Sequence, residues 1–178
     1  MVGDSMQYTE IRHIHGDLDT VEDLIPIITT LENRGKEYTI ELHITSWGGA
    51  LSTALRLVDA IQLSEATVIA VIHTAASAAT LVAFACDEVR ISPYATVMFH
   101  NFSVVQQGQA KKLRDKAQFD ERHFSLLCNT FYKGVLTPTQ IEDIQEDNDI
   151  WLVGKEVSTQ MSKLGWLPVL ARDDYDEW

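Results

Sequence analysis

A chain of 178 residues with 46% apolar and 22% charged side chains can bury one substantial core. Its 26 acidic groups against 14 basic ones leave a formal charge of −12, which argues against nucleic acid and anionic membrane surfaces as partners. No apolar run approaches the roughly 20 residues of a membrane span, and the polar start, Met1 to Glu10, is unlike a secretion signal.

Residues 11–14 read as a short strand. Residues 20–34 read as a helix capped by Asp19 or Thr20 and ended by Gly35, with Pro26 either kinking it or marking its true start. Ile40, Leu42 and Ile44 alternate with Glu41 and His43, the period of a strand with one buried face. "SWGG", residues 46–49, breaks that strand, and Leu51, Ala54, Leu55, Val58 and Ile61 follow at helical spacing. Residues 67–72 are nearly all apolar, as in a strand covered on both faces. Residues 77–86 read as a buried helix. Two strands, 88–91 and 96–100, are expected on either side of a Pro93 turn. Residues 110–132 read as one long, mostly charged helix. Thr137, Pro138 and Gln140 open another with a capping box, and a last helix covers 155–163 and stops at Gly165. Strands alternating with helices predict an α/β fold with a largely parallel sheet, in one domain spanning 1–178. Cys86 and Cys128 fall in helical contexts and read as buried thiols of a reducing compartment.

"HTAASAAT", residues 73–80, sets a single hydroxyl among small residues where a strand meets a helix. A hydroxyl nucleophile needs a base, a partner that holds the base's tautomer, and donors for the oxyanion. Ser77 stands where the unpaired amides and dipole of a helix N-terminus favour negative charge. Gly48 and Gly49 end another strand, where a glycine backbone can come close to a ligand. His100 ends "TVMFH", and Asp149 lies in "EDNDIW". His73, four residues before Ser77, is a rival base. His13 and His15 share a strand face and could bind a metal, but lack a third ligand.

These pieces resemble the ClpP family of self-compartmentalised serine peptidases. The likeness rests on "HITSWGGALSTALRLVDAI", "TAASAAT", "VMFHNF", "QGQA" (107–110) and "EDNDIWLVGKEV", in the family's order and close to its spacing over residues 14–167. It implies a ClpP/crotonase-like spiral of ββα units, with a head (11–102 and 150–170) and a protruding handle helix and strand (103–149). It also implies Ser77 as nucleophile, His100 as general base and Asp149 as the orienting acid, with Asp147 and Glu146 near enough to compete for that place. The oxyanion donors would be the amides of Gly49 and Ala78. An extended substrate would lie along the 103–109 stretch, touching Gly48, Gln106, Gln107, Gly108 and Gln109.

The resemblance requires no metal and no cofactor, and no phosphate-binding loop of the Gly-Lys-Ser/Thr type occurs here. Its partners would be further copies in heptameric rings stacked in pairs, an AAA+ unfoldase of the Clp type, and unfolded polypeptides. Its place would be the cytoplasm, a host's if the gene is phage-borne, as the short, divergent chain suggests. Trp47 stands where the family has proline, Ala78 where it has methionine, Asn101-Phe102 where it has Gln-Pro, and Asn148 where it often has the arginine that pairs between rings. Those departures keep open a ring subunit with little or no catalysis of its own. Acyl-CoA chemistry on the same fold is a further alternative, which the serine and histidine oppose.

Overall fold

The computed structural model describes residues 7–102, 107–166 and 169–170. Four strands, β1 (Tyr8–His15), β2 (Tyr38–Ser46), β3 (Thr67–Ala76) and β4 (Glu88–Phe99), pair in parallel in chain order. β5 (Ile150–Val153) adds antiparallel to the upper half of β4, and β6 (Val169–Leu170) pairs with its lower half. Between the strands run α1 (Ile25–Asn33), α2 (Leu51–Leu63) and α3 (Ala78–Phe84). After β4 come α4 (Ala110–Leu127), a π-helical turn (Cys128–Tyr132), α5 (Pro138–Gln145) and α6 (Gly154–Lys163). The mixed α/β fold expected from the alternation is present, and it is consistent with the ClpP fold.

The burial follows the residue pattern. Ile40, Leu42 and Ile44 are fully buried on one face of β2, while Glu41 and His43 face the other way and are half-buried. Residues 68–72 are buried throughout. Every residue of α3 is buried, so this short helix is held by its surroundings more than by its own propensity. Cys86 and Cys128 are free and buried. Burial pushes both thiols up, Cys128 to about 12, so neither offers a ready thiolate.

Several boundaries differ from the expectation. Pro26 takes the second position of α1, where its missing amide costs nothing, and a 3₁₀ turn (Glu22–Leu24) occupies the residues before it. No side chain caps α1; Thr20 instead donates to Asp23 at 2.7 Å. The Pro93 segment does not divide β4, which runs unbroken. Only its pairing with β3 is interrupted, between Ile72↔Ile91 and Thr74↔Thr96. The long helix changes to π geometry at Cys128. The capping box at Thr137 forms as expected, with Gln140 answering Thr137 in both directions.

Candidate active site

Ser77 joins β3 to α3 with φ 54° and ψ −129°, a conformation that side chains larger than hydrogen rarely adopt. Such a residue costs on the order of 1–3 kcal/mol and persists only where its surroundings fix it. Here they do. The Ser77 amide donates to the Met98 carbonyl of β4 at 2.9 Å, and the Ser77 carbonyl accepts from Thr80 Oγ1 at 2.6 Å. Thr80 gives its one proton to that carbonyl, so the Tyr132 hydroxyl, 2.7 Å away, donates to Thr80. Tyr132 is buried, and desolvation holds its pKa well above the ordinary phenol value. Its ring stands edge-on to Phe99 at 5.0 Å, next to His100 in the chain. The serine turn is therefore tied to β4, to α3 and to the π turn.

The consequence is a short contact. His100 Nε2 lies 2.6 Å from Ser77 Oγ. Asp149 Oδ1 lies 3.8 Å from His100 Nδ1, beyond hydrogen-bond reach, and its side chain is 51% exposed against 28% for His100. A proton on Nδ1, facing that carboxylate, leaves the Nε2 lone pair for the serine hydroxyl. Asp147 is engaged elsewhere: it has φ 63° and accepts from Asn101 Nδ2 at 2.9 Å. Glu146 is the C-cap of α5. Of the three acids, Asp149 is the one whose carboxylate faces the histidine, at 3.8 Å. His73, the rival base, turns to the opposite side of the sheet and meets His43, Nε2 to Nδ1, at 3.4 Å.

The glycine pair is placed by contact. A Cβ on Gly48 would fall 2.7 Å from Ser77 Cβ and 2.8 Å from the Ala76 carbonyl, and one on Gly49 would meet the Leu18 backbone at 2.7 Å. Both have positive φ, 104° and 140°. Leu18 grips the turn from outside, its amide donating to Gly48 at 2.6 Å and its carbonyl accepting from Ala50 at 2.9 Å. Gly49, Ala78, Ser77 and His100 share the wall of a cavity of about 40 Å³, whose other walls are Leu51, Leu81, Phe102, Phe124, Leu127 and Tyr132. A larger hollow of about 530 Å³, beside Thr137 and α6, touches none of these groups.

A model of the family described as Clp protease matches residues 12–160. The chain belongs to the Clp protease family. No curated protein matches the sequence.

Of the substrate-contact residues expected from the family resemblance, Gly48 lies against the serine. Gln107, Gly108 and Gln109 are exposed and irregular, and Gln106 lies outside the described residues. The apolar residues spaced along the long helix, Leu113, Ala117, Phe124, Leu127 and Phe131, form a stripe that divides. Phe124 and Leu127 are buried against their own chain beside Ser77, while Leu113 and Phe131 are partly covered and Ala117 is exposed. Thr80, Tyr132 and the apolar wall escaped the sequence reading, because nothing local marks a residue 52 positions away as a partner of Thr80.

Proposed function

We propose that this member of the Clp protease family is a serine endopeptidase that cleaves unfolded polypeptides, with Ser77 as nucleophile, His100 as base and Asp149 as orienting acid. The observation that carries the reading is the 2.6 Å approach of His100 Nε2 to Ser77 Oγ. Nε2 takes the hydroxyl proton as Oγ bonds to the scissile carbonyl carbon. The carbonyl oxygen becomes an oxyanion facing the amides of Gly49 and Ala78. His100 returns the proton to the departing amine as the C–N bond breaks, leaving an acyl-enzyme on Ser77. Water, deprotonated by His100, then attacks the acyl carbon, and the proton goes back to Oγ. The cavity at Ser77 has apolar walls and suits an apolar side chain next to the cut bond.

The membership carries ring assembly and an unfoldase partner at the level of the family. For this chain we propose heptameric rings, stacked in pairs through a handle at 103–149, an AAA+ unfoldase of the Clp type, and a cytoplasmic location. Phe119 and Leu126 of α4, 49% and 61% exposed, are apolar surface available for burial by a second copy. Among the described residues no helix is long and apolar enough to cross a membrane.

A second reading, a ring subunit with weak catalysis, is favoured by the 3.8 Å gap between His100 and Asp149. A fluorophosphonate probe read by intact mass separates the two. The peptidase takes one label per chain, at Ser77, and degrades unfolded casein. An intact protein that stays unlabelled overturns the first reading. Native mass spectrometry against salt tests assembly, and a monomer at every concentration overturns the ring.

A further inference from the structure

Away from the serine, on the sheet face opposite to the core, three histidines stand on three adjacent strands. His13 of β1 is in register with His43 of β2, their ring centroids 5.2 Å apart. His73 of β3 sits at a register shift, between Ile72, which pairs with Ile44, and Thr74, which pairs with Thr45. Such an irregularity re-aims a side chain, and His73 points back at His43, ring centroids 5.6 Å apart.

From these contacts we infer that His13, His43 and His73 form a binding site for a divalent transition-metal ion of the zinc class. Two nitrogens bound about 2.0–2.1 Å from one tetrahedral zinc stand about 3.3 Å apart, and His43 Nδ1 and His73 Nε2 are separated by 3.4 Å. The choice of ring nitrogens fits the lateral order. The central histidine offers its near nitrogen, Nδ1, and its neighbour reaches inward with the far one, Nε2.

The other nitrogen of the central ring lies near a carboxylate, the kind of group to which a metal-bound histidine donates, without being bonded to it. His43 Nε2 is buried with no hydrogen-bond partner, and the nearest acid is Glu41 Oε2 at 3.5 Å. Glu41 is itself held by Arg90 at 2.5 Å. With Nε2–H directed at that carboxylate, the Nδ1 lone pair is left for the ion. Among the described residues no three ligating groups already surround one point. Binding therefore requires the His13 ring, which is exposed, to rotate toward the pair. Water completes a three-histidine site. The ion would tie β1, β2 and β3 together on the face turned away from the main core.

The test is titration of the full chain, stripped with a chelator, with cobalt(II) and then zinc. Visible absorption reports coordination and elemental analysis reports stoichiometry. One ion per chain with the strong bands of tetrahedral cobalt is expected. His43→Ala, His73→Ala and His13→Ala should each lower affinity on the order of 100-fold, and Glu41→Gln by about 10–100-fold. His15→Ala and Ser77→Ala should not change it. His43→Gln replaces the alanine variant if that fails to fold. Absence of stoichiometric binding overturns the site, and so does full affinity in any one of the three histidine variants. Serine labelling, measured on the same samples, reports separately on the peptidase reading.

Discussion

The two sides of His100 are built differently. On the Nε2 side, Ser77 lies between β3 and a helix with every residue buried, its backbone bonded to Met98 and Thr80, and the contact is 2.6 Å. On the Nδ1 side, Asp149 sits between the positive-φ residue Asp147 and the four-residue strand β5, half exposed, at 3.8 Å. The serine side is fixed by the core that also fixes the fold. The acid side hangs on a surface segment, whose final position is open to whatever packs against it. In our proposal the nucleophile is set by packing within one chain, while its orienting acid is left to be tightened by assembly.

The hardest test of the contrast is Ser77→Ala. If the serine side is the reactive one, peptide cleavage falls by a factor on the order of 10⁶, the scale on which losing a triad nucleophile acts. Label uptake vanishes with it. Because alanine also relieves no part of the backbone strain at φ 54°, thermal stability should barely change. Cleavage that survives in Ser77→Ala would place the chemistry elsewhere.

Asp149→Asn sharpens the other side. An amide there favours the wrong histidine tautomer, and turnover should drop by a factor on the order of 10⁴. Asp147→Asn should be mild, since its partner is Asn101. Steady-state rates on one peptide decide it, and a reversed order would move the acid's role to Asp147.

Gly48→Ala attacks the point where the glycine turn and the serine turn touch. The new methyl would meet Ser77 Cβ and the Ala76 carbonyl, at a φ that alanine tolerates poorly. Displacing the serine by a fraction of an ångström should cost on the order of 10²-fold in kcat/KM. An active Gly48→Ala enzyme would show that the serine side is softer than its contacts suggest.

The smallest effect belongs to Tyr132→Phe, which removes the hydroxyl that donates to Thr80. Denaturant melts should show a loss of about 0.5–1.5 kcal/mol, as for one buried hydrogen bond. Labelling of Ser77 should continue, because Thr80 still holds the serine carbonyl.

The parts legible in the sequence were those with a local cause. Period-two burial in β2, the apolar run of β3, the capping box at Thr137 and the small residues around Ser77 each follow from neighbouring side chains. Ser77, His100 and the glycine pair were located by motif and fall in one place. The continuity of β4 through Pro93 was not legible. A proline reads as a break, but here it sits where pairing with β3 is already interrupted, and β5 and β6 pair on either side of it along the chain. Nor was the fate of the α4 stripe legible. The same apolar spacing serves burial within the chain and burial against a neighbour, and only the fold assigns Phe124 and Leu127 to the first. Of the histidine pair read on β1, His13 faces His43 of β2, a neighbour that spacing within one strand does not reveal.

The π turn at Cys128–Tyr132 has a consequence for how such a chain can change. Each residue of a helix turns the chain by about 100°. Tyr132 is anchored by Thr80 and Phe99, so the phase of everything before it is set from that end. Deleting one residue from the turn would restore plain α geometry and rotate α4 about its own axis by roughly a quarter of a circle. Phe119 and Leu126 would then face a new direction while Tyr132 kept its anchor. The same rotation would carry Phe124 and Leu127 out of the wall of the Ser77 cavity, so a single-codon loss at this place would change the exposed face of α4 and the lining of the site together.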